Sequence, residues 1–343
     1  MTEAETGTDQ RRRDRHRNFG WLRQGILGAI GLLTIVTLAW VLNPVRVAQA
    51  VERFPLALLP AILMLWLLVY GLQGLRWHHL LRIVGVRLRL RDSLLLNAAG
   101  QTVTALVPLG DLARALFAAE ASGREFGTTA ATVTVQELSY ALMLVLLALP
   151  VLFNVHLGVV VVVLTLAGIA AVIVILTVSP VFCMVHRLVA RAPLVNRLLP
   201  AIDELQHESA ELLHRPDTLI WSVFDLARAA AAVTAFWLVV QGLSAGSFDW
   251  WRAAFVLCLS NIGGTVSLIP GGIGANEAGM VGLLILFGVH PGTAGAAAVI
   301  QRALVSGIAI VFGLASYAVV RRRFELGDVF HVTSFQREAR AAT

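Results

Sequence analysis

The chain contains no lysine; all 27 of its Lys/Arg-type residues are arginine. Charge of either sign is scarce, at 14% of 343 residues, against 57% hydrophobic residues and a mean hydropathy of +0.77. That balance excludes an ordinary soluble domain and places the chain in a membrane. Cysteine is nearly missing as well. Cys183 and Cys258 lie in different regions, which excludes a disulfide framework and a cysteine metal centre. There is no P-loop, nucleophile elbow, dinucleotide fingerprint or Asp-x-Asp sugar-nucleotide motif. An ATP-driven or soluble-type enzyme therefore has no support, and no cofactor is expected. Lysine-free, alanine-rich composition suggests a GC-rich bacterial genome. The pI near 10.5 reflects arginine flanking membrane spans, not nucleic-acid binding.

What is there is hydrophobic length. Runs 25–42, 54–75, 157–178 and 219–243 are long enough to cross a hydrocarbon core of ~30 Å, which takes about 20 helical residues. Runs 128–149 and 294–320 also span if Glu137 and Arg302 face the protein interior. The first run has the wrong length and flanks for a cleaved signal peptide.

Two further apolar stretches are broken. Ser260 to Glu277 carries five glycines, a proline and a carboxylate. Pro270 lacks an N–H and Gly271, Gly272 and Gly274 favour irregular backbone, so no continuous helix forms there. Irregular backbone at membrane depth persists only where protein buries it or a cavity wets it, which marks a candidate binding site. The other break, Gly100-Gln-Thr-Val-Thr-Ala-Leu-Val-Pro-Leu-Gly110, reads against Gly263-Gly-Thr-Val-Ser-Leu-Ile-Pro-Gly-Gly272 once Ala105 is skipped.

Arginine placement orients the chain. With a cytoplasmic N-terminus and both broken segments (92–120 and 253–289) re-entrant, 22 arginines fall on the cytoplasmic side and three outside. Making each segment a full crossing would put Arg187, Arg191, Arg197 and Arg215 outside, against the positive-inside rule. The flanking spans then correspond in order and run in opposite directions: 25–42 with 157–178, 54–75 with 219–243, 128–149 with 294–320. This is an all-α polytopic membrane protein of about six transmembrane helices plus two re-entrant broken-helix hairpins in an inverted repeat, a layout of alternating-access transporters. Its parts are a disordered basic tail 1–22, a membrane domain 23–322 with halves of about 23–149 and 157–320, and a tail 323–343.

Several residues could carry chemistry. Gly271, Gly272 and Gly274 can expose amides that, with the half-helix N-terminus, hold an anion such as a lipid phosphate. Glu277 either balances a cation there or satisfies the amides of its own helix start, and the two jobs can coexist. Arg302 needs a partner inside the bundle, which Glu277, Glu137 or a substrate phosphate can supply. Asp111 and Arg114, after Pro108 and Gly110, are three apart and could pair on one helix face. Asp225 and Arg228 read the same way, as a local self-neutralising pair. Gln136 and Glu137 sit mid-span. Asp203, His207, Glu211 and His214 fall on one face of a loop helix, where a solvated polar face explains them more simply than zinc.

With these residues in view, about 25–322 resembles the lysylphosphatidylglycerol synthetase transmembrane, or flippase-like, family. The resemblance is carried by Leu75-Arg76-Trp77, by Val107-Pro108-Leu-Gly110-Asp111-Leu-Ala-Arg114, by Ile269-Pro270-Gly-Gly-Ile-Gly-Ala-Asn-Glu277-Ala, and by Gln301-Arg302. It implies a lipid-translocating membrane domain. The soluble aminoacyl-transferase domain of fused relatives is not seen here, so synthase activity is not implied. Relatives usually carry a Glu-Arg pair and a following Asp in the third span, where this chain reads Gln136-Glu137-Leu-Ser139-Tyr140.

The expected activity is movement of a phospholipid or lipid-linked headgroup between leaflets without ATP, in a bacterial plasma membrane with both termini cytoplasmic. The expected substrate-binding residues are Pro108, Gly110, Asp111, Arg114, Glu137, Pro270, Gly271, Gly272, Gly274, Glu277 and Arg302. The expected partner is a membrane lipid, with no metal and no nucleic acid. Two other classes fit the composition: an intramembrane lipid-modifying transferase, or a scaffold for a separately encoded glycosyltransferase or synthetase. Homo-oligomerisation is compatible with either.

Overall fold

The structure is a computed structural model that describes residues 44–106, 111–152, 156–178, 180–183, 199–243, 248–267 and 272–324. The span expected at 25–42 and the breakpoint residues Pro108, Gly110, Pro270 and Gly271 lie outside the described residues.

Among the described residues every regular element is helical. The elements are α1 (Pro44–Glu52), a 3-10 turn (Leu56–Leu58), α2 (Leu59–Ile83), α3 (Leu90–Leu106), α4 (Leu112–Ser122), α5 (Phe126–Leu152), α6 (His156–Thr177) and α7 (Leu199–His214). There follow α8 (Pro216–Ile220), α9 (Val223–Leu243), α10 (Trp250–Val266), α11 (Ala275–Leu286) and α12 (Pro291–Phe324). Among the described residues four stretches are long and apolar enough to cross a membrane: Leu56–Ile83, Phe126–Val151, Pro216–Leu243 and Pro291–Phe324. They match four of the expected spans, and α6 occupies a fifth.

The helices end where local chemistry says they should. Gly123, at φ 68°, closes α4 in a left-handed cap that a side chain would strain. Asp249 caps α10 by accepting from the Arg252 amide. Arg321, Arg322 and Arg323 crowd the last turn of α12, where the helix dipole and an interface both favour cations.

Polarity is inverted relative to a soluble protein. Met64, Leu68, Val311 and Phe312 point outward, while Gln73, Arg76, Asn97, Arg114, Gln136 and Asp225 are buried. Lipid gives helices no hydrophobic reason to associate, so close packing must do it, and small residues allow that. Accordingly the core is alanine-rich, with Ala229, Ala232, Ala235, Ala253, Ala254, Ala294 and Ala297 fully buried. Gly313 of α12 lies so close to α3 that a Cβ there would fall 1.9 Å from Thr102 Oγ1.

Both broken segments fold back as helical hairpins. A Cβ on Gly100 of α3 would sit 2.6 Å from Arg114 Cβ of α4. In the second hairpin, Gly264 of α10 packs on Asn276 of α11, and Gly279 packs on Ser260. At 17 residues each, α3 and α10 are about 25 Å long, short of the ~30 Å core.

The hairpins open at opposite ends of the bundle. α3 begins beside the end of α2, through His78 Nδ1 and Ser93 Oγ at 2.9 Å, and beside the end of α12, through Arg323 and Asp92 at 2.9 Å. α10 begins beside the end of α9, where Trp237 Nε1 donates to the Phe248 carbonyl at 2.7 Å. That end of α9 is far from the first hairpin's mouth, since Gly242 packs against Phe54 and Leu58 ahead of α2. Thus α2 and α9 run oppositely, as do α5 and α12. The contacts are reciprocal too: α3 packs on α12, and α10 packs on α5.

One expected detail is corrected. The sequence match aligns Gly100 with Gly263, but in space its counterpart is Gly264. Gly100 packs on Arg114 and Gly264 on Asn276, whereas a Cβ on Gly263 would meet nothing. The hairpins share Asn-x-x-Gly, at Asn97–Gly100 and Asn261–Gly264. Each asparagine accepts from the residue its glycine packs against: Asn97 from Arg114 at 3.0 Å, Asn261 from Asn276 at 3.3 Å.

Candidate functional site

Glu137, the twelfth of the 27 residues of α5, lies about 18 Å along that helix, near its middle. Three helices bring donors to its carboxylate. Arg114 Nη2 donates from α4 at 2.5 Å, Arg228 Nη1 from α9 at 3.3 Å and Gln73 Nε2 from α2 at 3.2 Å. An isolated charge here would be costly, and the pairing is what makes the site tenable.

The two guanidiniums are themselves held. Arg114 is fully buried, and its Nη1 donates to Asn97 and Gln136, each at 3.0 Å. Arg228 lies over the Tyr140 ring, 3.8 Å from its centroid, a cation–π placement. The Nε–H groups of Arg114 and Arg228 are buried without a partner. Asp111 precedes α4, accepts from Thr104 Oγ1 at 3.3 Å, and stands within electrostatic reach of Glu137, Arg114 and Arg228.

Two expected pairings are corrected. Arg114 bonds Glu137 rather than Asp111, because α4 packs on α5 and the tertiary carboxylate lies closer to the guanidinium than the local one. Asp225 and Arg228 likewise part company. Asp225 accepts from Arg76 Nε at 3.1 Å, both side chains fully buried, while Arg228 turns to Glu137. Arg76 also donates to the Thr218 carbonyl at 2.7 Å, tying α2 to the α8–α9 corner.

The second hairpin builds a separate pair. Gly272 and Gly274 adopt φ 62° and 87°, which only glycine takes without strain. Glu277 accepts from the Gly274 amide at 2.6 Å and pairs with Arg302 of α12 at 3.3 Å. It therefore satisfies its own helix start and a mid-span cation together. Tyr70 links the two clusters: its hydroxyl donates to the Val305 carbonyl on α12 at 3.2 Å and stands within electrostatic reach of Asp111, Tyr140 and Arg228.

Of the expected site residues, Asp111, Arg114 and Glu137 come together around the first hairpin, and Gly272, Gly274, Glu277 and Arg302 around the second. Sequence reasoning missed the roles of Gln73, Asn97 and Arg228. A polar residue on an apolar span facing another such residue was the only available signal.

The loop helix α7 docks on α5 through Thr128 Oγ1, which donates to Glu204 at 2.8 Å. On its polar face Glu211 pairs with Arg215, and His214 Nδ1 sits 2.6 Å from the Ala210 carbonyl. Burial and the neighbouring Glu204 and Glu211 raise the Glu208 carboxyl above its usual range.

A family model described as the lysylphosphatidylglycerol synthase TM region matches residues 26–313. The chain belongs to that family. A search of curated proteins found no match. Membership of the lysylphosphatidylglycerol synthase TM family places the chain among membrane proteins of lipid metabolism or transport. In this member, where relatives are expected to carry an arginine beside the third-span glutamate, the second cation on Glu137 comes from Arg228 in the other half of the chain.

Proposed function

We propose that the protein moves a lipid headgroup between leaflets without ATP. The observation that carries this reading is a pair of helical hairpins opening at opposite ends of the bundle, each bonded to a charged residue in the interior of a long span. Such a frame can expose a mid-membrane site to either side in turn as one half rocks on the other. The halves are those of about 23–149 and 157–320.

In this reading a headgroup phosphate docks on the arginines, Arg114 and Arg228 at the first hairpin and Arg302 at the second. The buried Nε–H groups of Arg114 and Arg228 support it, since an unmet buried donor is costly unless a ligand or water reaches it. Asp111, Glu137 and Glu277 handle the compensating proton or cation. Gly272 and Gly274 shape the turn of the second hairpin, and Pro108, Gly110, Pro270 and Gly271 are assigned to headgroup binding from the sequence pattern. The setting is a bacterial plasma membrane with both termini cytoplasmic, and the partner is the lipid itself.

The test is purified protein in liposomes carrying acyl-labelled lipids, with outer-leaflet label quenched by dithionite. Accelerated loss of the protected half of the label is expected for at least one lipid class. No acceleration across a broad phospholipid and glycolipid panel would overturn the proposal.

A further inference from the structure

The two ion pairs each join the second helix of a hairpin to the long span that follows it, with their polarity exchanged, although Glu277 stands one residue beyond Asn276, the packing counterpart of Arg114. Arg114 is the third residue of α4 and Glu277 the third of α11. Their partners, Glu137 and Arg302, are the twelfth residues of α5 and α12, each preceded by a buried glutamine, Gln136 or Gln301. In the first half the hairpin supplies the cation and the span the anion; in the second half the hairpin supplies the anion and the span the cation. Arg76 and Asp225 neutralise each other in an ion pair of their own. Among the described residues, Arg114, Arg228 and Arg302 then face Asp111, Glu137 and Glu277, so the charges balance.

Glu137, Glu277 and Arg302 are reachable, with side chains 30%, 16% and 28% exposed. A headgroup bearing one phosphate and one ammonium can exchange partners with either pair, phosphate to arginine and ammonium to carboxylate, and strand no charge at membrane depth. A headgroup of net charge −1 leaves facing it a carboxylate that must take up a further proton or cation, an added cost at this depth that a headgroup with its own ammonium does not incur. Resting on the transport reading above, we propose that the mirrored, polarity-exchanged pairs select lipids whose headgroup carries one charge of each sign.

The experiment uses the full chain in liposomes and compares acyl-labelled phosphatidylethanolamine with acyl-labelled phosphatidylglycerol. Wild-type protein should move phosphatidylethanolamine at least about tenfold faster, the factor that corresponds to ~1.4 kcal/mol. Glu277→Gln, which leaves Arg302 in excess, should shift the ratio toward phosphatidylglycerol by a similar factor. The double variant Glu277→Arg with Arg302→Glu restores the balance and should recover the wild-type preference. Phosphatidylglycerol moving as fast as phosphatidylethanolamine in the wild type, which needs no variant to fold, overturns the selectivity proposal while leaving transport standing. No movement of either lipid, nor of any other in the panel, removes transport and this proposal with it.

Discussion

Arg228 on α9 reaches the carboxylate of Glu137 on α5, Nη1 lying 3.3 Å from Oε1, while Arg114 holds the same oxygen from α4. One carboxylate thus serves two buried guanidiniums. Glu137→Ala leaves both without their counter-charge, and such a break costs roughly 3–5 kcal/mol. A marked fall in the melting temperature of the detergent-purified variant is expected, larger than for Glu277→Ala, whose partner Arg302 is more exposed.

The Arg76–Asp225 pair offers a different test, because both side chains are fully buried and the proposed transport assigns them no substrate. Removing one partner should destabilise by roughly 3–5 kcal/mol, yet replacing both with apolar residues of similar volume can be neutral. Arg76→Ala and Asp225→Ala are therefore expected to melt early, and Arg76→Met with Asp225→Leu to melt much nearer the wild type. A strongly destabilised double variant would mean that the guanidinium's bond to the Thr218 carbonyl, not the ion pair, fixes this corner.

Much of the fold is legible in the sequence because bilayer thickness imposes a length on every span, and four of the expected runs match the four described helices long and apolar enough to cross. Arginine placement also reads through to the opposed hairpins, since hairpins opening at the same end would demand a different loop distribution. Pairing inside the bundle is another matter. Spacing along a helix suggests Asp111 with Arg114 and Asp225 with Arg228, but each arginine finds a carboxylate on a neighbouring helix instead. A single sequence has no term for that, because helix rotation is decided by packing of alanine and glycine surfaces. The one-residue slip between Gly263 and Gly264 has the same origin: the shared Thr-Val followed by a hydroxyl residue dominates the match, while contact with Asn276 decides the geometry.

That slip is directly testable. Gly100→Ala puts a Cβ 2.6 Å from Arg114 Cβ and 3.1 Å from its backbone, and overpacking of this kind costs about 1–3 kcal/mol. Gly264→Ala meets Asn276 Cβ at 3.2 Å, whereas Gly263→Ala meets nothing within 4 Å. The expected order of melting temperature is Gly263→Ala highest, then Gly264→Ala, then Gly100→Ala. A destabilised Gly263→Ala beside a neutral Gly264→Ala would restore the original alignment.

Glu208 allows a prediction outside the membrane. Burial and nearby glutamates raise its carboxyl from the ordinary 4.5, so the docked state disfavours the charged form. The sign follows from linkage: docking of α7 is favoured while the group is protonated and weakens as pH rises above 4.5 through the raised value. Glu208→Gln should slow amide exchange across Leu199–His214 at neutral pH and flatten its pH dependence. Faster exchange in the variant would show that the carboxylate, not its neutral form, holds the helix.

The opposed hairpins are the arrangement on which transport rests, and their mouths can be labelled. Arg91 lies in the first turn of α3 and Trp251 in the first turn of α10, both exposed. With Cys183 and Cys258 replaced by serine and alanine, a single cysteine at either position is a target for a membrane-impermeant maleimide. In vesicles of uniform orientation, Arg91→Cys and Trp251→Cys should react from opposite sides, each blocked only by quencher on its own side. If both react from one side, the hairpins open to the same face. A mid-membrane site could then be reached from that face alone, and rocking of the two halves would carry nothing across.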